Sequence, residues 1–503
     1  MKKLLCLVSA FITFCANAQE WHLTGNSGTT TDTNFIGTTD NRALMFKVNN
    51  QRSGYIDFGS AKANTSLGFQ ALNNLTGSSN TAIGYKAMQS NTKGTGNVAF
   101  GTNSMFRNTT GHHNVAVGDS SFYDSKTGSF NTAVGYLAMF RNVSGSENTA
   151  IGLDALHFNA SGENNTAIGS GALYNNNIGY SNVAIGVAAL YSSTTHHNIV
   201  AMGDSALYNN GVGSNDEFDG NENTAVGSKA LLNNTIGFGN TANGSWALTS
   251  NVLGSVNTAI GSNALSKTNS SWNTAVGHSA GDTYDNGPDN VFVGAVARAN
   301  AAGYSNVIAI GYGTTCTASN QVTMGNSTTT SYRAYANWSN ISDGRYKKNV
   351  RQDIAGLSFI NKLRPVSYTL DARGIDKFLH KNFPAGGNVS AEEVAMEKAL
   401  SEKEQIRYTG FVAQEVEKAA KEIGFDFSGV DAAKNENDLY GLRYAEFVVP
   451  LVKAVQELSK MNDEKESRLD TLEKQNADLK ERLEKIEKIL GQPITFNSST
   501  PKK

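Results

Sequence analysis

Cysteine, proline and charge are all scarce in this sequence, and each shortage closes off a class of protein. Only 3 of 503 residues are cysteine, and Cys6 and Cys15 fall in an amino-terminal stretch that reads as a cleaved leader. A chain left with Cys316 alone forms no intrachain disulfide, so its stability rests on packing and hydrogen bonding. Proline numbers 6 against 50 glycines. That excludes a collagen triple helix, which needs glycine at every third residue among abundant proline. Charged residues make up 17% of the chain, below the roughly 25% of an average soluble protein. The 42 basic and 44 acidic side chains nearly cancel, which leaves no electrostatic footprint for nucleic acid or an anionic membrane. After the leader no apolar run reaches the ~20 residues of a membrane-crossing helix, so no transmembrane segment is expected.

The low average conceals two regimes. From Asn64 to Gly325, 21 of 262 residues are charged, about 8%, whereas from Asp343 to Lys503 the figure is 54 of 161, about 34%. At the amino end, Met1-Lys2-Lys3, the apolar run Leu4 to Phe14 and Ala16-Asn17-Ala18 read as a secretory signal peptide cut after Ala18. The expected location is therefore secreted or on a bacterial cell surface. Bulky Phe14 ahead of Cys15 speaks against lipoprotein processing.

A repeat fills the uncharged half. Asn-(Thr/Val)-Ala-(Ile/Val/Phe)-Gly recurs at Asn80–Gly84, Asn97–Gly101, Asn114–Gly118, Asn131–Gly135, Asn148–Gly152, Asn165–Gly169, Asn182–Gly186, Asn223–Gly227, Asn257–Gly261 and Asn273–Gly277, with looser copies between and beyond. Sixteen such glycines from Gly68 to Gly325 define fifteen intervals, of which eleven are 17 residues and one, after Gly203, is 24. β-Branched residues alternating with Ala have strand periodicity. A following Ala-Leu or Ala-Met makes a second short apolar stretch, and Asn/Gly/Ser/Thr clusters supply turns. Seventeen residues are too few for a strand and a crossover helix. They suit two short strands and two turns, one coil of a left-handed β-roll or β-solenoid that buries its apolar face only against neighbouring coils. The recurring Asn is expected to stack as a ladder of amides.

Other readings of the middle are weaker. Interchange of Thr with Val at the first strand position (Thr81, Val98, Val115, Thr132) speaks against a regular threonine array for ice binding. Few acids or bases interrupt the repeats, which speaks against a catalytic solenoid. His112-His113 and His196-His197 are expected as solvated turn residues. The acidic stretch from Asn215 to Gly220 has Val226 where an EF-type loop needs its bidentate Glu, so it reads as a surface insertion. No metal and no cofactor is expected.

After Gly325 four blocks follow in order: Ser342-Asp343-Gly344-Arg345-Tyr346-Lys347-Lys348-Asn349, then Leu363-Arg364-Pro365-Val366-Ser367-Tyr368, then Tyr408-Thr409-Gly410-Phe411-Val412-Ala413-Gln414-Glu415-Val416, then Leu442-Arg443-Tyr444. This region resembles the C-terminal intramolecular chaperone domain of endosialidases and phage tail fibres, and the repeats resemble the heads of trimeric adhesins. The resemblance implies a homotrimer and a domain that severs itself through a Ser/Lys dyad, here Ser342 and Lys347. Ser342 Oγ attacks a neighbouring carbonyl, so the cut lies at Ile341–Ser342 or one bond later, at Ser342–Asp343. Lys347 serves as base only when neutral, and Arg345 and Lys348 are placed to repel its charge. Gln414 and Glu415 are candidate contributors from the third block. The sequence departs from the family in a charged insertion, Asp371 to Gln405, expected to be helical around Ala391–Lys403.

The chain ends in a heptad pattern with Val448, Val455, Leu469, Leu483 and Leu490 at a positions, Leu451, Leu458, Leu472, Leu479 and Ile486 at d positions, and Asn462 and Asn476 inside the seam. Six heptads in register read as a parallel coiled coil. The expected organisation is a signal peptide (1–18), an N-terminal segment (19–63), the β-solenoid (64–325), a connector (326–341), a small α+β chaperone and autoprocessing domain (342–447), the coiled coil (448–490) and a flexible tail (491–503). The chain as a whole is expected to be a mainly β, exported trimeric fibre of adhesin type. Its C-terminal domain directs trimerisation and is then released by self-cleavage, a serine endopeptidase activity in cis with no external substrate. The alternative is a carbohydrate-binding or carbohydrate-active fibre with a non-cleaving trimerisation domain; the expected external partner is a surface glycan or other receptor.

Overall fold

A computed structural model describes residues 27–30, 34–59, 62–74, 76–214, 216, 218–283, 287–382 and 391–491. The signal peptide and all of the tail beyond residue 491 lie outside these residues. The middle of the chain is a β-solenoid. One sheet of 18 strands runs through it: an antiparallel hairpin, Leu44–Val48 with Gln51–Ile56, followed by sixteen three-residue parallel strands from Thr65–Leu67 to Val322–Met324. At about 4.8 Å per strand the sixteen extend on the order of 70 Å. Equivalent positions face each other coil after coil, as in Thr81↔Val98, Ala82↔Ala99 and Ile83↔Phe100. The 24-residue interval keeps this register, with Val200 opposite Thr224, so its extra residues loop out of the coil.

Period-2 alternation decides which side chains face inward. Where the centre of a strand is Ala (Ala82, Ala99, Ala116 and their equivalents) it is fully buried, and the flanking residues point outward. The opposite wall supplies the second inward row, with Met88, Met105, Phe122, Leu156, Leu173 and their equivalents fully buried. Each strand ends in a glycine in a left-handed conformation. Gly152 has φ 139°, and a Cβ there would lie 2.6 Å from the Gly169 carbonyl oxygen of the next coil.

The Ala-Leu stretch is not the second strand that the sequence suggests. In the coil of Leu156 the backbone passes through φ 54° at Asp154 and φ 52° at Leu156, a pair of left-handed turns. It still bonds to neighbouring coils, Asp154 N to Tyr136 O at 3.0 Å and Leu156 N to Ala172 O at 2.9 Å. A left-handed backbone costs an L-residue roughly 1–2 kcal/mol. Full burial of a Leu side chain returns about that amount or more. Among the described residues only the last two coils make a second strand, Arg298–Ala299 paired in parallel with Thr315–Cys316.

Polar ladders complete the shaft. Asn97 is fully buried. Its Nδ2 donates to the Gly111 carbonyl at 2.9 Å and to Asn80 Oδ1 at 3.2 Å, and its backbone N–H donates to Asn80 Oδ1 at 3.0 Å. The backbone N–H to Oδ1 bond recurs along the row from Asn64 to Asn290 wherever one Asn follows another. A second buried row, not anticipated, runs through Asn91, Asn108, Asn142, Asn159 and Asn176. A third row is aromatic: Phe106, Tyr123, Phe140, His157, Tyr174, Tyr191 and Tyr208 stack with centroids 4.8–5.2 Å apart.

The charged end is a small α+β region. Helices α1 (Leu357–Ile360), α2 (Ala372–Leu379), α3 (Ala391–Glu404) and α4 (Ala413–Glu422) alternate with two short antiparallel pairs, Val366–Tyr368 with Tyr408–Gly410 and Val430–Asp431 with Gly441–Leu442. Its core is Phe359, Val416, Ala419, Ala420 and Phe447, ringed by Phe411, Phe425 and Phe427. Helix α5 (Val448–Leu490) runs 43 residues, about 65 Å, and ends at Gly491 with φ 64°. Its a and d side chains are largely exposed in the single chain, among them Val455 at 63% and Leu469 at 57%. Among the described residues no helix is long and apolar enough to cross a membrane.

Candidate functional site

Past Met324 the chain leaves the sheet and runs exposed through Tyr335, Trp338 and Ile341, the last 97% exposed. A single turn of 3-10 helix, Gly344–Tyr346, then folds Lys347 back toward Ser342. Asp343 starts that turn by accepting from the Arg345 backbone N–H at 2.9 Å. The result is one close contact: Lys347 Nζ donates to Ser342 Oγ at 2.8 Å. The structure therefore places the two candidate dyad residues in hydrogen-bond reach of each other, beside the exposed Ile341.

The other charges are arranged differently from the expectation. Arg345 is not free to repel Lys347, because its guanidinium is paired with the Asp343 carboxylate at 2.6–2.9 Å. That pairing holds the Asp343 carboxyl below the usual carboxylate range and raises Arg345. Glu415 sits in the first turn of α4 in an ion pair with Arg364, and Gln414 lies in a shallow groove with Tyr368, Ile375 and Tyr444. Arg364, not the dyad, engages Glu415, and both side chains are exposed rather than packed in the helix interface.

The histidine pairs also divide. His112 and His113 are exposed, and His113 stacks on Phe130 with centroids 5.3 Å apart. His196 is buried and hydrogen-bonded to Ser193 Oγ at 3.2 Å, so it is not the solvated turn residue expected. Burial pushes its pKa down. Among the described residues no three His, Cys, Asp or Glu side chains are grouped to hold a metal ion. Of the acidic insertion, Asn215 and Glu217 lie outside the described residues, and Asp219 Oδ2 accepts from Ser214 Oγ at 2.9 Å.

Residues 342–425 match the chaperone of endosialidase family. The match opens at Ser342 itself, and it spans the first three sequence blocks and the insertion. No curated protein matches the chain. With about fifteen solenoid coils ahead of it, the chaperone domain sits at the end of a tail-fibre-like chain. Domains of this family act in trimerisation. The family is legible in the sequence from its ordered blocks, and Ser342 and Lys347 are singled out there only through that resemblance, since a lone Ser-x4-Lys spacing specifies no contact. The Asp343–Arg345 pair has only a faint signal in the sequence, an acid two residues before an arginine across a Gly-containing turn.

Proposed function

We propose that this chain is an exported fibre whose chaperone domain aligns three copies and then severs its own backbone at Ser342, with Lys347 as general base. The observation that carries the reading is the 2.8 Å contact between Lys347 Nζ and Ser342 Oγ, at the first residue of the family match. Neutral Lys347 takes the Ser342 hydroxyl proton as Oγ attacks the Ile341 carbonyl carbon through a five-membered ring. The C–N bond of Ile341–Ser342 breaks, Lys347 returns the proton to the departing Ser342 amine, and an ester joins Ile341 to Oγ. Water then hydrolyses the ester, leaving an Ile341 carboxylate and a restored Ser342 hydroxyl. In the single chain both side chains are exposed, and a lysine becomes a base near neutral pH only when desolvated or crowded by cations. Neighbouring chains of the trimer supply that covering, which couples scission to assembly.

Two unpartnered apolar surfaces support a trimer. One is the α5 seam. The other is the outward face of the sheet, where Val98, Phe100, Val117, Ile151, Ile260 and Ile310, spread over five coils along the shaft, are each 36–54% exposed. Contiguous apolar rows of this length mark association surfaces. Three chains packed along both rows bury them together. The glycan reading gains nothing from the aromatic row, because each inner ring is stacked on both faces by its neighbours and offers only its edge, whereas sugars stack on ring faces.

Expression of the full chain tests the dyad. Wild type is expected to yield a product ending at Ile341 and a 162-residue fragment of about 17 kDa. Ser342→Ala and Lys347→Ala are expected to remain full length, with scission reduced at least about a hundredfold, the order of general-base loss. A folded wild-type trimer that stays intact rejects self-cleavage and leaves the alignment role standing.

A further inference from the structure

The last two coils differ in sequence from those before them. Four residues after the strand glycine, earlier coils place Met88, Leu156 or Leu207 inward. The final two place Arg298 and Thr315 there, and the inward position moves one residue on, to Ala299 and Cys316. Arg298, Asn300, Thr315 and Thr317 thereby line the outer edge of the short two-stranded sheet.

The C-terminal part of the chain sits on that edge through polar groups. Thr317 Oγ1 donates to Asp438 Oδ1, Asn435 Nδ2 donates to the Thr317 carbonyl at 3.0 Å, and Asn300 Nδ2 donates to the Asn437 carbonyl at 3.0 Å. From the insertion, Asn382 Nδ2 donates to the Asn300 carbonyl at 3.0 Å, and His380 Nε2 lies 3.3 Å from Thr315 Oγ1. Ser327 Oγ donates to Asp376 Oδ1 at 2.6 Å, and Lys403 Nζ donates to the Thr329 carbonyl at 2.8 Å. Thr315, Thr317, Ser327 and Asp438 are each no more than 8% exposed, so the middle of the contact is shielded from water while Asn382 and Asn435 lie at its exposed rim. All seven bonds join residues 300–329 to residues 376–438. Ser342 lies between these segments in the chain but takes part in none of the bonds.

We propose that residues 342–503 stay seated on the end of their own shaft through this polar contact, so that cutting the backbone at Ser342 does not release them. The inference rests on the proposed scission only for what it says of the cut chain. An interface of hydrogen bonds with few apolar anchors exposes no sticky surface when parted, so the two pieces join and separate without aggregating. Two carboxylates, the buried Asp438 and the half-buried Asp376, supply charge-assisted bonds, which are the stronger kind.

Full-length wild type, purified without denaturant after it has cut itself, is passed through gel filtration, and each fraction is boiled and separated in SDS. The shaft and the smaller fragment are expected in the same fractions. In Asp438→Asn and in Thr317→Val, which keeps the side chain's shape and so guards against misfolding, the smaller fragment is expected to emerge apart, its retention weakened about tenfold or more. Wild-type fragments that separate, or variants that retain the fragment as wild type does, overturn the proposal. If wild type is not cut, the scission reading alone fails, and the contact is read by amide hydrogen exchange in the intact chain. Exchange at Thr315–Thr317 is then expected to be at least about tenfold faster in Thr317→Val than in wild type, and equal rates overturn the proposal.

Discussion

At the scale of single residues, the second asparagine row shows what each amide contributes, because it is broken in three places. Asn108, Asn176 and Asn251 are followed one coil later by Ser125, Ser193 and Thr268, side chains too short to reach back. In each case the preceding Oδ1 is left without a partner inside the protein. Where Asn is kept the bond is made, as from Asn108 Nδ2 to Asn91 Oδ1 at 2.9 Å. Ser125→Asn is therefore expected to accept from Asn142 Nδ2, donate to Asn108 Oδ1 and stabilise the shaft by about 1 kcal/mol. The measurement is the denaturant midpoint of the shaft in an uncut Ser342→Ala background. A midpoint that stays put or falls would show that the row is limited by space and not by a missing partner. The first row was legible in the sequence because its Asn begins nearly every repeat, with Ile199, Val307 and Gln321 as the exceptions. The second has the same 17-residue spacing, but Ser and Thr replace it often enough to hide it.

Among elements, strand and turn were told apart only in part by pattern. Thr81-Ala82-Ile83 and Ala155-Leu156 both place small and large apolar residues side by side, and periodicity does not distinguish an extended pair from two left-handed turns. The backbone of Leu156 is decided by the coils on either side, which is tertiary information. The same is true of α2: within the charged insertion the sequence points to helix only around Ala391–Lys403, and nothing local says that Ala372–Leu379 forms a helix whose end meets Thr315. There His380 faces Asp376 on its own helix, with Nδ1 3.3 Å from Oδ1, and Arg298, Thr315 and the Gly313 carbonyl on the shaft. Hydrogen bonding to Asp376 raises the His380 pKa against the opposing effects of burial and Arg298. A raised histidine stabilises most fully below its unfolded value of about 6.5, and that contribution is lost as pH climbs through the higher folded value. Amide exchange in α2 is thus expected to quicken between pH 6 and pH 8 by more than the intrinsic rate does. His380→Gln is expected to remove that excess. An excess that persists in the variant would place the titration elsewhere.

For the molecule as a whole the difficulty is alignment. Equivalent residues face each other in coil after coil, so three shafts displaced by one coil keep most of their contacts, and a repeat array alone selects register weakly. The two ends of the sheet break the equivalence: the Leu44–Ile56 hairpin at one, and the Arg298 and Thr315 coils with the chaperone domain at the other. If the C-terminal end sets register, the number of coils between the ends is free to change. Removing Thr149 to Asn165, 17 residues, joins Asn148 to Thr166 and leaves every ladder continuous, with Phe140 brought next to Tyr174. That chain is expected to trimerise and to be cut as wild type is, with a melting midpoint within a few degrees, since only one of about fifteen coil interfaces is lost. Removing only Thr149 to His157, nine residues, leaves half a coil that cannot place Ala and Leu inward together, and its midpoint is expected to fall well below that of the longer deletion. Co-expression carries the test to alignment itself. Wild-type and 17-residue-deleted chains share the same C-terminal end, so mixed trimers are expected to form, with the mismatch collected at the Leu44–Ile56 end and visible there as faster amide exchange. Failure of the two chains to mix would mean that the full length of the shaft, rather than its C-terminal end, is what the three chains recognise in one another.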